Sequence, residues 1–328
     1  MKRAALFCPG RGAYTKRTMK LLPEDHPFVA EAEALRAEYG LPSILELDRA
    51  RWDGDAHLRP DNGSALIYVH SMLDAAQAAR EHEIACVGGN SLGWYTALAA
   101  SGALSFGDGF RLVQEVSILQ MEHAEGGQIL YPLIDDQWRI DAKLTTRVAE
   151  ALAAAPGEAF RSIDLGGYAV LAGTEKGVAH LLERLPPVEM GPQLYPYRLK
   201  HHGPYHTPLV AEVSRKAQGL ARLGWAAPRT TLVDGRGARF MPWSTDPAEL
   251  AAYTLGPQLT TPFGFTTSVR VALREHAPDL LALPGPGNTL GGVCGQTIVM
   301  EGYKGIRARD EFERVQAGSD PVVWSMRR

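Results

Sequence analysis

An apolar strand turns directly into a helix at Ile84-Ala85-Cys86-Val87-Gly88-Gly89-Asn90-Ser91-Leu92-Gly93-Trp94-Tyr95. Glycines stand two residues before and two residues after Ser91, which gives the pattern G-x-S-x-G. A turn this tight leaves no room for side chains at those two positions. It also holds the serine hydroxyl at a helix N-terminus, where free N–H groups stabilise an oxyanion. The pattern predicts a nucleophile elbow at Ser91; the alternative is a glycine-rich turn of an ordinary α/β domain.

The composition is typical of a soluble globular protein with one large domain or two ordinary ones. The 328 residues are 45% hydrophobic and 22% charged, and the formal net charge is −3. A charge balance this even, without a long basic run, gives no reason to expect nucleic acid as a partner. No stretch reaches the roughly 18 apolar residues of a membrane helix. The apolar run at residues 4–8 ends at Pro9, so we expect a strand there instead of a signal peptide.

The cysteine pattern favours a cytoplasmic protein without a metal site. Cys8, Cys86 and Cys294 are an odd, scattered set, and two of them lie in apolar, strand-like segments. They show no C-x-x-C or Cys/His spacing of the kind that binds metals. We therefore expect reduced core residues.

Hydrophobic periodicity divides the chain into three parts. Before residue 128 it predicts strands at 4–8 and 84–88 and helices at 28–39, 64–81 and 106–121, the last behind a capping box that begins at Ser105. After residue 200 it predicts helices at 207–220 and 265–275 and strands at 231–233 and 280–283. From Met300 onwards the segment is charged, and we expect it to be irregular.

The middle part has the order β-α-β-β-α-β, which is typical of a small ferredoxin-like module. Its predicted elements lie at 129–134, 145–154, 160–163, 169–172, 175–185 and 194–199. The sequence therefore predicts an α/β-hydrolase-like catalytic domain with a central, mainly parallel sheet, formed by residues 1–127 and 201–328. A ferredoxin-like domain at 128–200 interrupts it.

A serine nucleophile needs a general base, and the chain has ten histidines. His206 lies in Gly203-Pro204-Tyr205-His206-Thr207-Pro208-Leu209, where two prolines and a cap-like threonine favour a rigid turn before a helix. His201 and His202 are the alternatives. No Asp or Glu is singled out by its spacing as a third catalytic residue.

Several motifs, in order, resemble those of the malonyl-CoA:acyl carrier protein transacylase (ACP S-malonyltransferase) family, the acyltransferases of fatty-acid and polyketide synthesis. The resemblance extends from Ala4 to about Val293. The segments that carry it are Phe7-Cys8-Pro9-Gly10-Arg11-Gly12, Gly89-Asn90-Ser91-Leu92-Gly93-Trp94-Tyr95-Thr96-Ala97-Leu98, Gly102-Ala103-Leu104-Ser105-Phe106-Gly107-Asp108-Gly109-Phe110-Arg111-Leu112-Val113, Gly203-Pro204-Tyr205-His206, Gln258-Leu259-Thr260-Thr261-Pro262-Phe263 and Gly285-Pro286-Gly287-Asn288-Thr289-Leu290.

The resemblance implies a two-step acyl transfer from acyl-CoA to the phosphopantetheine thiol of an acyl carrier protein, with no bound cofactor and no metal. Ser91, activated by His206, would carry the acyl group as an ester. The main-chain N–H groups of Leu92 and Arg11 would form the oxyanion hole. In this family the histidine is held by main-chain carbonyls, which agrees with the lack of a candidate acid.

The chain departs from the malonyl pattern where selectivity is set. Malonyl-selective members of the family carry an Arg-Gly pair in the helix that follows their R-L-V motif, and the arginine binds the malonyl carboxylate with two hydrogen bonds. After the corresponding Arg111-Leu112-Val113, this chain has Val116 and Ser117 in that place. A valine cannot bind a carboxylate, and Glu115 would repel one if it faced the pocket. We therefore predict a neutral acyl group, unless Arg11 supplies the missing cation. The alternative for Arg11 is a surface residue of which only the backbone matters.

Two further departures from the family pattern mark candidate substrate-binding residues. Asn90 replaces the family's histidine, and Trp94 replaces its glutamate.

Two other functions stay open: an acyl hydrolase that clears acyl groups from carrier proteins, and a non-catalytic acyl-binding relative. The second conflicts with the intact serine and histidine. Before the catalytic turn, a basic cluster could face an acidic carrier protein, or it could be a solvated strand end. It consists of Arg198, Lys200, His201 and His202.

Overall fold

The first strand of the chain lies inside the larger of two main sheets. A computed structural model describes residues 1–327. Strand β1 is Arg3–Cys8, and all of its residues after Arg3 are buried, as the apolar run predicts. Buried β1 hydrogen-bonds to parallel neighbours on both sides, which places it where a central strand of an α/β sheet belongs.

The segment after β1 is mostly helical and leads to the elbow. The elements are α1 (Pro27–Glu38), α2 (Ile44–Arg49), α3 (Gly54–His57), α4 (Pro60–Glu81), β2 (Glu83–Gly89), α5 (Leu92–Ala100) and α6 (Phe106–His123). Helix α4 starts one turn before the predicted residue 64, because a proline at the first helical position lacks only an N–H that would have no partner there. The Ser105 hydroxyl accepts a hydrogen bond from the Asp108 N–H at the start of α6.

The middle part of the chain forms a smaller sheet. Its elements are β3 (Gly127–Pro132), α7 (Ala142–Ala153), β4 (Ala159–Leu165), β5 (Tyr168–Gly173), α8 (Glu175–Arg184), β6 (Val188–Met190), β7 (Gln193–Tyr195) and β8 (Tyr197–Arg198). The predicted last strand at 194–199 is wrong in detail: β7 pairs with β6 in a separate hairpin, and β8 alone joins β3. Short strand segments carry too little periodic signal to separate these two pairings.

The remaining chain returns to the larger sheet. Its elements are α9 (Ala211–Ala217), β9 (Leu232–Val233), β10 (Arg239–Phe240), α10 (Pro247–Leu255), α11 (Pro257–Thr260), β11 (Phe263–Gly264), α12 (Phe265–Val271), β12 (Leu280–Leu283), α13 (Gly291–Glu301), α14 (Arg309–Gln316) and β13 (Val323–Ser325). Helix α9 is flanked by short 3-10 turns and α12 runs into a π-helical turn, which together span most of the two helices predicted here. The expectation of an irregular segment after Met300 is wrong, because Phe312 on α14 is buried and β13 pairs with β12.

The sheet topologies confirm the predicted fold class. The larger sheet has the order β10-β9-β2-β1-β12-β13 and is parallel except for β10. The smaller sheet has the order β11-β4-β5-β3-β8. Its strand β11 comes from outside residues 128–200, so the division at 1–127, 128–200 and 201–328 stays a prediction. In the described residues no helix is long and apolar enough to cross a membrane. Cys8, Cys86 and Cys294 are free and buried, as expected.

Candidate active site

Ser91 stands in the sharp turn between β2 and α5. Its backbone has φ 54° and ψ −111°, a left-handed conformation that non-glycine residues rarely adopt. A Cβ atom at Gly89 would lie 2.1 Å from the Gly93 carbonyl oxygen, and one at Gly93 would lie 2.1 Å from the Cys8 carbonyl oxygen. Both glycines are therefore required by close backbone approach, as the tight turn predicts.

The structure brings His206 to Ser91. The Ser91 Oγ lies 2.7 Å from His206 Nε2, and His206 Nδ1 lies 2.7 Å from the main-chain carbonyl oxygen of Gln258. Because a carbonyl only accepts, Nδ1 carries the proton and Nε2 is free to accept the serine proton. Within residues 1–327 neither ring nitrogen has a carboxylate partner.

The two alternative histidines are engaged elsewhere. His201 Nε2 lies 3.0 Å from Asp55 Oδ1, and His202 Nδ1 lies 2.9 Å from Gln128 Oε1. His206 itself is held at φ 59°, and its N–H donates to the Leu259 carbonyl oxygen over 3.0 Å. The segment around Gln258 thus fixes both the ring and the backbone of His206.

Burial decides the protonation state of His206. Desolvation lowers the pKa of His206 to about 4, and the hydrogen bond to the Gln258 carbonyl only partly opposes that shift. Burial disfavours the charged imidazolium. At neutral pH the ring is therefore uncharged and able to take up a proton.

Two free N–H groups adjoin the serine. Leu92 is the first residue of α5, and within the described chain neither its N–H nor that of Arg11 has a hydrogen-bond acceptor. Arg11, Ser91, Leu92 and His206 line one small cavity of about 10 Å³. N–H groups in this position are suited to an oxyanion.

The predicted specificity residues divide into two pairs. Asn90 lines a larger cavity beside Ser91, and its Oδ1 is buried without a partner in the described residues. Ser117 lines the small cavity. Trp94 and Val116, in contrast, are core residues, 0% and 1% exposed. Their assignment to the substrate pocket is wrong, because these helix positions face the protein interior.

The contacts of Trp94 and Glu115 show that neither side chain faces the substrate pocket. The Trp94 Nε1 donates to Thr254 Oγ1 over 3.0 Å, and the ring packs on Tyr253 and Phe240. Glu115 accepts from the Tyr39 hydroxyl at 2.8 Å, so it does not face the pocket and repels nothing there.

Arg11 is half-buried and forms part of the cavity walls. Its Nη1 donates to the Tyr205 hydroxyl over 2.5 Å and its Nη2 to the His201 carbonyl oxygen over 2.6 Å. Among the described residues it has no acidic partner. Arg11 is therefore not a freely solvated surface side chain, and the role of its guanidinium stays a prediction.

Sequence reasoning missed the residues that connect the catalytic turn to the smaller sheet. The Ser162 hydroxyl on β4 donates to the Tyr205 carbonyl oxygen over 2.8 Å, and Gln128 Nε2 on β3 donates to Ser162 Oγ over 2.7 Å. The Gln258 side chain accepts from the Tyr95 hydroxyl at 2.9 Å. Of Gln128, Ser162 and Gln258, only Gln258 lies in one of the family motifs; single polar residues in strands give no signal of their own.

The basic cluster before the catalytic turn is largely neutralised. Arg198 pairs with Glu175 over 2.6 Å, and Lys200 pairs with Asp55 over 2.7 Å. The Lys200 ammonium group and then His201 hold the pKa of Asp55 below its usual value. His202 is half-buried, and burial lowers its pKa, with a smaller effect from Arg11. The cluster therefore presents little free positive charge.

Two further cavities meet at the Arg11 loop. One, of about 490 Å³, includes Ser91 and Asn90 in its wall, and the other, of about 260 Å³, includes Trp52 and Lys200. No Asp or Glu of the described chain lines either of them. Nor do residues 1–327 hold a group of three His, Cys, Asp or Glu side chains suited to a metal ion.

Solved structures with the same fold include several transacylases. A malonyl-CoA:ACP transacylase from Synechocystis sp. has a TM-score of 0.73 at 21% identity, covering 90% of this chain and 94% of that chain. One from Xanthomonas oryzae pv. oryzae has a TM-score of 0.72 at 24% identity, with coverage of 90% and 92%. A malonyl-transacylase in complex with a type II PKS acyl-carrier protein has a TM-score of 0.73 at 20% identity, with coverage of 91% and 93%.

No protein-family model matches this sequence, and no curated protein matches it. At the identities of the solved structures, the likeness establishes the fold. That fold is the one of malonyl-CoA:ACP transacylases, a large α/β domain with a small ferredoxin-like part, as the ordered motifs predict.

Proposed function

We propose that this chain is a cytoplasmic, serine-dependent acyltransferase that moves an acyl group from acyl-CoA to the phosphopantetheine thiol of an acyl carrier protein, in fatty-acid or polyketide synthesis. The observation that carries the proposal is the 2.7 Å contact between Ser91 Oγ and His206 Nε2, in a fold shared with transacylases. No resident cofactor is needed, because serine and histidine supply both the nucleophile and the base.

In the first step Ser91 Oγ attacks the thioester carbonyl carbon while His206 Nε2 takes the serine proton. The carbonyl oxygen becomes an oxyanion beside the N–H groups of Leu92 and Arg11. The C–S bond then breaks, and the protonated imidazole gives its proton to the departing CoA thiolate. The product is an acyl ester on Ser91, and the Gln258 carbonyl oxygen stabilises the transient imidazolium through Nδ1–H.

In the second step the thiol of the carrier's phosphopantetheine arm gives its proton to His206 and attacks the ester carbonyl. The C–O bond to Ser91 breaks, and His206 returns the proton to Ser91 Oγ. Atoms and charges balance over the two steps without an oxidant, a reductant or a metal.

We propose a neutral acyl group as the cargo. Val116, which stands where malonyl-selective members have their arginine, is buried in the core and lies outside the cavities beside Ser91. The one cation of the described chain that reaches Ser91's cavities is Arg11, and Tyr205 and His201 already hold two of its nitrogens.

A hydrolase acting on acyl carrier proteins is the second candidate. The small cavity beside Ser91 and His206 measures about 10 Å³, and roughly 10–15 Å³ is the space that one water molecule requires. A water in that place could replace the carrier thiol in the second step. A non-catalytic acyl-binding role has no observation in its favour.

One assay separates these candidates. The protein is incubated with acetyl-, hexanoyl- and malonyl-CoA in the presence of a holo acyl carrier protein, and both acylated carrier and free acid are quantified. Acyltransfer predicts acylated carrier as the main product, with neutral donors preferred. Free acid in excess would identify the hydrolase, and a strong preference for malonyl-CoA would overturn the neutral cargo.

A further inference from the structure

We propose that the 490 Å³ cavity is the binding site of a medium-length, uncharged acyl chain. The inference rests on the proposed acyltransferase function and adds the class of acyl group. It starts from the two faces of the smaller sheet, which are both apolar but are covered very differently.

The outer face of that sheet is packed. Ile129, Tyr131, Ala169 and Leu171 are fully buried in one hydrophobic cluster with side chains of α7 and α8. Successive residues of a strand point to opposite faces. The neighbouring side chains of these residues must therefore lie on the inner face of the sheet.

The inner face lines the cavity that starts at Ser91. The side chains that contribute from the three central strands are Gln128, Leu130, Ile163, Leu165, Tyr168 and Val170. Leu130 and Leu165 are only half-buried although they lie within the sheet. Apolar side chains left uncovered in this way around a partly open cavity are suited to an apolar ligand.

The polar groups in the wall are mostly bonded within the protein. Gln128 binds Ser162 and His202, and Gln296 Oε1 accepts from the Gly167 N–H over 2.8 Å. Because these groups are already satisfied, the far wall offers a ligand little hydrogen bonding. The exceptions are Asn90, whose Oδ1 has no partner in the described residues, and Arg11, whose guanidinium has no acidic partner there; both line the cavity beside Ser91, where the thioester itself would sit.

The adjoining cavity gives the pantetheine arm a separate path. It shares Arg11, Gly12, Leu199 and His202 with the larger one and has the exposed side chain of Lys200 in its wall. An acyl thioester bound at Ser91 extends in two directions from its carbonyl. The acyl chain fits the cavity lined by the apolar inner face of the sheet, which leaves the adjoining cavity for the polar arm.

The volume sets the length of the chain. A methylene group is similar in size to a water molecule, whose share of liquid volume is about 30 Å³. The cavity of about 490 Å³ therefore has room for an acyl chain of on the order of ten carbons, allowing for imperfect filling. Each buried methylene is expected to raise kcat/KM for acylation by up to about fourfold.

The test measures acylation of Ser91 by acetyl-, hexanoyl- and decanoyl-CoA in the wild type and in Leu130→Trp and Leu165→Trp, which fill the cavity from two different strands. Leu182→Trp on the outside of α8 is the control, since Leu182 is 37% exposed and lines none of the three cavities described above. We expect decanoyl-CoA to be preferred by the wild type. Either filled variant should lose at least about tenfold with decanoyl-CoA and stay within about threefold with acetyl-CoA.

Three outcomes would overturn the inference. The first is a wild type whose acylation rate does not rise with chain length. The second is an equal loss of rate with all donors in the filled variants, as expected if this cavity holds the pantetheine arm. The third is a control whose rate falls as much as that of the filled variants. Acetylation of Ser91 in any of these cases would leave the proposed function standing. If no donor acylated Ser91, the proposed function itself would fail.

Discussion

The larger and the smaller sheet differ in what covers their faces. In the larger sheet, β12 is buried along its whole length and β1 is buried beyond its first residue, because helices pack on both faces. Ser91 follows the end of β2, which is the neighbour of β1. The smaller sheet is packed on its outer face by α7 and α8, whereas its inner face is only partly covered by the main core, through Ile163 and Val170, and lines the 490 Å³ cavity. The larger sheet thus positions the reacting groups, whereas the smaller one shapes the space next to them.

One place where the two regions meet is the turn that carries His206. Residue Tyr205, next to His206, has its carbonyl oxygen held by Ser162 from the smaller sheet, while Leu259 and Gln258 hold His206 itself. In the proposed reaction, the position of His206 therefore depends largely on hydrogen bonds to main-chain groups. The choice of acyl group depends instead on the side chains that the inner face of the smaller sheet carries. Variants can separate these contributions.

The largest expected effect is on the chemistry. His206→Ala removes the base, and general-base catalysis contributes roughly 10²–10⁴-fold, so we expect acylation of Ser91 to fall by about 10³-fold. Single-turnover acylation followed by quenched mass measurement gives the rate. The control is His201→Ala, whose ring pairs with Asp55, and it should stay within about threefold. Equal losses in the two variants would refute the assignment of His206.

The elbow itself should not tolerate a methyl group. In Gly93→Ala the new Cβ would lie 2.1 Å from the Cys8 carbonyl oxygen, a backbone atom that cannot move aside. We expect the free energy of unfolding in urea to fall by about 3 kcal/mol. Gly219→Ala is the matched control, because its Cβ would meet only the flexible end of Arg222 at 3.5 Å. A similar stability of both variants would contradict the close packing described for the turn.

A smaller effect is expected where the two regions meet. Ser162→Ala removes the bond to the Tyr205 carbonyl and leaves Gln128 with one partner fewer, which should cost about 1–2 kcal/mol of stability. Since the turn that carries His206 loses a support, acylation should also fall by about tenfold. Ser214→Ala loses a comparable bond, to the Leu255 carbonyl, at a residue that lines none of the cavities around Ser91, and should affect stability alone. An unchanged acylation rate in Ser162→Ala would remove the smaller sheet from the positioning of His206.

The smallest change is expected with pH. Burial lowers the pKa of His206 to about 4, below the usual value near 6.5, and only the neutral ring accepts a proton. The acylation rate should therefore stay within about twofold between pH 6 and 8 and fall only as the pH approaches the pKa of His206. The pH profile of kcat/KM measures this. A half-maximal rate near pH 6.5 would show that the free enzyme does not bury His206 as described.

The elbow and the catalytic turn could be predicted because their signals are local. Ser91 needs two small neighbours within four residues, and His206 lies in a turn that its own prolines stiffen. The role of residues on helices was harder to predict from the sequence. Trp94 and Val116 occupy family motif positions, but both pack into a core formed by residues from distant parts of the chain. The acceptor for His206 could not be named at all, because every residue carries a carbonyl and only the fold brings that of Gln258 to the ring.

Non-local pairing limited the rest. Strand β13 joins the sheet through β12, from a segment too charged and too short to predict a strand. The open inner face of the smaller sheet likewise has no sequence signature. Its strands are apolar on both faces, as in any strand that is buried on both sides, and only the structure shows that one face is partly uncovered.

The central claim is that Ser91 carries the acyl group. Intact mass measurement of the wild type after brief incubation with decanoyl-CoA should show one added decanoyl group, and peptide mapping should place it on Ser91. The Ser91→Ala variant should show none under the same conditions. An equally acylated Ser91→Ala protein, or a wild type acylated at another residue, would contradict the account.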